Sequence, residues 1–285
     1  NLGRSVANAH TTFKIIEVLF MFPCTPLVVA LTEKIIRGKD EKVHHNELQY
    51  ITEISLKSPA TMIPQAKNEL RRMANMAQEN LDHAIHGFLN QSDEFVDKVY
   101  HREEDINNVS HAITDYLVKS NQLSLPLADQ KILGSMFYVV NDIERIGDHA
   151  ENFADFTKTE IKHNTGLTGD AKEEIKKMYT AVSRLLKLSL ECFMEQDGVN
   201  KPEDKLAEIA ILEASIDKME RRYQKHHIKR LAKGECEPRA GLLFSDMLSE
   251  LERIADHSVN IAYSMSDEDE DEMLAAENEA LATKN

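Results

Sequence analysis

One fourteen-residue phrase occurs twice, and each copy carries two carboxylates at helical spacing. Residues 141–154 read NDIERIGDHAENFA, and residues 249–262 read SELERIADHSVNIA. Seven of the fourteen positions are identical, with Glu144 matched to Glu252 and Asp148 to Asp256. Glu and Asp four residues apart leave the same face of a helix. A further pair, Glu213 and Asp217, stands in ILEASIDKME at 211–220. The matching stretch HREEDINNVS at 101–110 puts Glu103 opposite Glu213 and Asn107 opposite Asp217. The second half thus offers two ExxxD pairs; the first offers one ExxxD and one ExxxN. Carboxylates from two neighbouring helices form an oxygen-rich site for a cation, and iron, manganese, magnesium or calcium all accept such ligands. The competing reading is a solvated face, where like charges at this spacing repel by roughly a few tenths of a kcal/mol.

Three other groups carry polar chemistry. His149 and His257 directly follow the aspartates, and a step of one residue turns them about 100° away. They are expected to be polar caps on a packing face rather than metal ligands. Glu-x-x-His, the mark of di-iron carboxylate bundles, occurs at Glu41/His44 and Glu160/His163. Both fall in or near expected linkers and are set aside. The run RRYQKHHIKR at 221–230 is basic and sits near a helix C-terminus, where cations suit the dipole. Arg221, Arg222, Lys225, Lys229 and Arg230 are its candidate contacts for an anion, an acidic partner or lipid head groups.

The elements that must position these groups are helices. A repeat of 108 residues means two copies of a small bundle, not a solenoid of short units. Periodicity predicts helices over about 64–89, 92–119, 127–158, 170–196, 202–233 and 238–265. Pro64 would open the first and Ser92 would cap the second. Gly198 and Gly234 stand as stops, and Asn164, Thr165 and Gly166 break the chain between halves. The expected architecture is all-α: two tandem three-helix bundles over 64–163 and 164–265. The apolar segment at 15–32, interrupted by Pro23 and Pro26, fits a buried core helix, an interfacial stretch or a broken membrane helix alike. Residues 38–63 read as a linker and 266–285 as an acidic tail. Lys34, Arg37, Lys39 and Lys42 after the apolar segment put its C-terminal side in the cytoplasm.

Composition narrows the classes. The chain has 285 residues, 42% hydrophobic and 29% charged, with 10 Gly and 7 Pro, which suits a helical protein with few turns. A net charge of −15 argues against broad nucleic-acid binding. Cys24, Cys192 and Cys236 form no CxxC pair and make a poor disulfide framework, as in a reducing compartment. No charged n-region precedes a cleavage site, so a start inside a longer protein is expected rather than a signal peptide. No nucleophile and base are spaced for turnover, so a metal-dependent enzyme is the remote alternative.

ERIGDHAENFA and ERIADHSVNIA resemble the signature of PhoU domains, proteins of two tandem three-helix bundles. The resemblance covers about residues 60–265. It implies metal ions in multinuclear clusters, held here by Glu144, Asp148, Glu213, Asp217, Glu252 and Asp256, with Glu103 and Asn107 as weaker members. GRSVANAHTTFK at 3–14 and SPATMIPQAKNELRRMA at 58–74 look like the sodium/phosphate cotransporters that carry a C-terminal PhoU-like domain. That resemblance implies a non-enzymatic regulatory domain at the cell membrane, with residues 1–37 the end of the membrane portion and residues from about 38 onwards cytoplasmic. Its implied partners are the membrane portion of the transporter, inorganic phosphate, sodium bound by the missing membrane part, and a second copy in a homodimer. The alternative is a soluble phosphate-signalling adaptor that docks on a phosphate transporter or sensor kinase.

Overall fold

The computed structural model describes residues 13–14, 48–52, 59–163, 166–196 and 202–265. The chain divides into two compact units, 1–44 and 45–285. Of the first unit only the helical pair Phe13 and Lys14 is described. The apolar segment 15–32, Gly198 and the acidic tail 266–285 lie outside the described residues.

The second unit holds six helices: α1 (Pro59–Leu89), α2 (Glu94–Asn121), α3 (Leu127–His163), α4 (Gly169–Glu195), α5 (Glu203–Ala232) and α6 (Pro238–Tyr263). No strand occurs among the described residues. The expected boundaries shift where local chemistry differs from the pattern. Pro64 lies inside α1 rather than at its start, so the helix gives up one backbone bond there and residues 59–63 leave the expected linker. Asp93, not Ser92, occupies the N-cap of α2, with no side-chain bond. Ser92 instead donates its backbone N–H to the Gly87 carbonyl at 2.9 Å. Helix α3 runs to His163, so Glu160 belongs to that helix and not to a linker. Thr168 caps α4, accepting from the Ala171 N–H. Gly234 ends α5 at φ +68°, and Glu235 N–H closes on the Arg230 carbonyl at 2.9 Å. That left-handed closure is what a glycine after a helix supplies.

Apolar stripes on these helices build one continuous core. Leu70, Met73, Ala77, Leu81 and Ile85 of α1 are buried, as are Leu248, Leu251, Ile254 and Ile261 of α6. Phe88, Phe153, Phe193 and Phe244 fill its largest spaces, and each such burial stabilises the fold by about 1.5–3 kcal/mol. Helices α1–α3 pack on one another, α4–α6 do the same, and α3 lies along α6 to join the bundles. A smaller contact runs from α1 to α4. There the buried Lys67 amine donates to the carbonyls of Phe193 (3.3 Å), Met194 (3.4 Å) and Gln196. It satisfies the orphan acceptors at the end of α4 and complements the negative helix end. Part of the expected linker is also tied down. Gln49 and Tyr50 donate their backbone N–H groups to the buried Glu69 carboxylate at 2.9 and 2.8 Å.

Among the described residues, no helix is long and apolar enough to cross a membrane.

Candidate functional site

The carboxylates gather in two places, one per bundle. In the first, Glu103 of α2 is only 3% exposed and lies against Gly147 of α3. A Cβ at 147 would come within 2.5 Å of Glu103 Oε2, so the absence of a side chain there makes the slot. Neither Glu103 oxygen has a hydrogen-bond partner. Burial pushes the carboxyl up to about 8, and the charges of Asp148, Glu151 and Glu144 add to the effect, while the polar Asn80 side chain pulls the other way. Burial and then Asp148 also raise Glu144; Arg145, His111 and His257 oppose. Glu151 is raised by burial, Asp155 and Asp148. Arg145 donates to Asp148 at 3.0 Å.

The second cluster lies between α5 and α6. These helices run antiparallel, as the Gln224–Ser245 bond (3.0 Å) and the Tyr263 hydroxyl on the Leu206 carbonyl (3.4 Å) show. Glu252 is raised by burial first, then by Asp256, Glu220 and Asp217. Asp256 is raised by burial and Asp217, with His257 opposing. Arg221 sits 3.7 Å from Asp217 in an exposed ion pair. Glu213 is half-buried one turn before Asp217 on the same helix. Ala255 stands where the first copy has Gly147.

Glu151 and Glu220 join these clusters from outside the candidate pairs, although Glu151 heads a further ExxxD pair with Asp155 and stands three residues after Asp148 on α3. Asn107, four residues after Glu103, is half-buried. Both clusters are sets of like charges that raise one another's proton affinity. That is the signature of carboxylates short of a counter-charge. Their oxygens are not gathered to coordination distance. Among the described residues, no group of three or more His, Cys, Asp or Glu is placed to hold a metal.

The remaining identities of the repeated phrase serve a seam between the bundles. His149 Nδ1 lies 2.5 Å from Glu250 Oε2, and Asn152 donates to the same oxygen at 2.8 Å. Reciprocally, His257 Nδ1 lies 2.9 Å from Asp142 Oδ1, and Asn260 donates to it at 3.4 Å. The two imidazoles stand 5.5 Å apart between these clasps. Asp142 and Glu250 are themselves equivalent positions of the repeat, so α3 and α6 cross antiparallel about a local two-fold. Burial works to raise Glu250, but the bonds from His149 and Asn152 outweigh it and hold the carboxyl below its ordinary value. His149 and His257 thus cap the packing face, as their turn from the aspartates predicted.

A duplicated three-helix bundle with a paired carboxylate cluster in each half invites comparison with known proteins. The family model for the PhoU domain matches residues 70–157 and again 175–265. The chain belongs to the PhoU domain family. The two matched stretches correspond to the two bundles, each ending with one copy of the repeated phrase. Similar curated proteins are phosphate-specific transport system accessory protein PhoU homologues. One from Clostridium acetobutylicum is 22% identical over 199 residues, 69% of this chain and 87% of that protein. Another, from Synechocystis, is 25% identical over 210 residues, 72% of this chain and 88% of that protein. The crystal structure of PhoU from Pseudomonas aeruginosa aligns at a TM-score of 0.64 and 20% identity, covering 72% of this chain and 96% of that one. The phosphate transport system regulatory protein PhoU from Streptococcus pneumoniae aligns equally well, at 0.64. These two likenesses concern the fold.

The comparisons correct one expectation for this PhoU-family chain. Placement at the cell membrane does not stand: its relatives are named as accessory proteins of a transport system, and no described helix can cross a bilayer. The same names support phosphate transport and do not show membership of the sodium/phosphate cotransporters.

The basic run of α5 divides by face. Arg221, Arg222, Lys225 and Lys229 are exposed. Arg230 does not join them: it is 8% exposed, ion-paired with Glu174 of α4 at 2.8 Å and placed over the Phe244 ring. His226 Nδ1 lies 2.6 Å from the other oxygen of Glu174.

Proposed function

We propose that the chain is a PhoU-type accessory regulator of phosphate transport that docks on a transporter or its sensor kinase and performs no covalent chemistry. The observation that carries this is the family match over both bundles, together with relatives named as accessory or regulatory proteins of phosphate transport. The adaptor reading accords with these names better than a transporter's own domain does. Measuring phosphate uptake in cells with and without the chain tests it. Unchanged uptake at both low and high external phosphate would remove the regulatory role.

Metal ions complete the proposal. Glu103, Glu144, Asp148 and Glu151 would hold a cation on the first bundle. Asp217, Glu220, Glu252 and Asp256, with Glu213 beside them, would hold one on the second. The unpartnered Glu103 oxygens and the mutual repulsion within each cluster support this. Oxygen donors suit magnesium, calcium, manganese or iron. A bound cation would supply positive charge, and spare positions on it would accept phosphate oxygens that an acidic surface otherwise repels. Binding requires the carboxylates to lose their protons, so affinity should rise with pH up to about 8 at the first cluster. Elemental analysis of the purified chain beside a Glu103→Gln/Glu252→Gln variant decides it, and equal metal content in the two would end the metal reading.

A further inference from the structure

Helix α5 is electrostatically divided along its length. Ile216, Tyr223, His227 and Arg230 are buried on one side, and Asp217 and Glu220 border them toward α6. The opposite side is cationic. Lys218, Arg221, Arg222, Lys225, His226 and Lys229 line a concavity of about 330 Å³ with no carboxylate among its lining residues. At a rise of 1.5 Å per residue, the row from 218 to 229 extends about 16 Å along the helix.

In a chain of net charge −15, six basic side chains around one hollow are a local reversal of sign. The neighbouring hollow on the α4 side shows what a compensated surface looks like here. It shares Arg222, His226 and Lys229 but adds Asp170, Glu173 and Glu174. Buried Glu174 draws His226 and Arg230 to that side. Among the described residues, Arg222, Lys225 and Lys229 have no such partner. Cations in a row, rather than around a point, match a ligand whose negative charges are also in a row. Guanidinium groups at 221 and 222 give forked donors for phosphate oxygens, and the lysines add point charges beyond them. A single orthophosphate would engage one end of the row. A hollow rather than a flat face also favours an inserted small anion over a planar lipid surface.

We propose that the cationic hollow of α5 binds a free anion built of phosphates linked in a line, with Arg222, Lys225 and Lys229 as its principal contacts. The site adjoins the second carboxylate cluster through Arg221, which pairs with Asp217, but its principal contacts lie outside that cluster and it does not depend on the accessory-regulator reading. It is formed by exposed long side chains, so binding is dominated by charge and falls steeply with salt.

The test is calorimetric titration of the full chain at low salt, with chelator present so that metal-bridged binding at the carboxylates is silenced. Orthophosphate, tripolyphosphate and a longer linear polyphosphate are compared, with vesicles of phosphatidylglycerol in phosphatidylcholine as a separate arm. Affinity should rise at least tenfold from orthophosphate to the longer chain. It should fall at least tenfold in Arg222→Ser/Lys225→Ser, while exposed Lys119→Ser on α2 leaves it unchanged. These sites are solvent-exposed, and circular dichroism confirms that each variant folds. Equal affinity for orthophosphate and the chains would overturn the proposal, as would an unaffected double variant. Vesicle binding lost in the same variant, with no binding of free chains, would reassign the hollow to a lipid surface and overturn it too.

Discussion

Replacing Glu103 with glutamine removes a single titrating group whose energetic sign is fixed by the fold. Its carboxyl titrates near 4.5 when unfolded and at about 8 when folded. Between those values the native chain holds a proton that the unfolded chain has released. Stability from this group therefore falls as pH rises from about 4.5 to about 8 and is level outside that window. At about 1.4 kcal/mol per unit, the whole span is on the order of 5 kcal/mol. Glutamine keeps the shape and cannot ionise. In chelator, urea unfolding of Glu103→Gln should therefore gain on the wild type steadily across that window. Near pH 4.5 the two proteins should be close to equal, because both side chains are then largely neutral in the slot. Glu144, Glu151, Glu252 and Asp256 shift in the same direction, so the wild type keeps some slope and the readout is the difference between the two proteins. A difference that does not change with pH would refute the claim that Glu103 is buried against like charges.

Three further outcomes follow from the same contacts. Gly147→Ala puts a methyl 2.5 Å from Glu103 Oε2, so the carboxylate must leave its slot; the variant should match or exceed wild-type stability at pH 8 in chelator and bind less metal at the first cluster. An unaltered pH slope in denaturation would count against the slot. Glu250→Ala leaves His149 and Asn152 without their acceptor and should cost about 1–3 kcal/mol at pH 7. Because Glu250 lies below its ordinary value, its contribution is full above about 4.5 and is lost as pH falls through the depressed value, so the gap between variant and wild type should narrow in acid. Lys67→Met strips the cap from α4 and should lower the melting temperature, with amide exchange quickening first in the last turn of α4; uniform exchange changes would argue against a local capping role.

The sequence by itself determined the helical class, the duplication and the identity of most carboxylates. Helical periodicity and a long repeat are local records that survive without coordinates, and i,i+4 spacing is enough to place Glu144 with Asp148 and Glu252 with Asp256 on one face. It also turned His149 and His257 away from those faces, because a single helical step fixes that rotation. Only the tertiary structure decided which groups meet. Glu220 of α5 meets Glu252 only through the approach of α5 to α6, a distance that no spacing within one helix encodes, whereas Glu151 shares a face of α3 with Asp148 and was legible at i+3. Glu103 became strongly perturbed because Gly147 on another helix leaves room to bury it. The reciprocal clasps of Asp142 with His257 and Glu250 with His149 required the crossing of α3 and α6. Arg230 was drawn out of the basic run by Glu174 from α4. In each case the deciding energy is a burial or a charge contact between helices distant in sequence, and such contacts exist only once the bundles have packed.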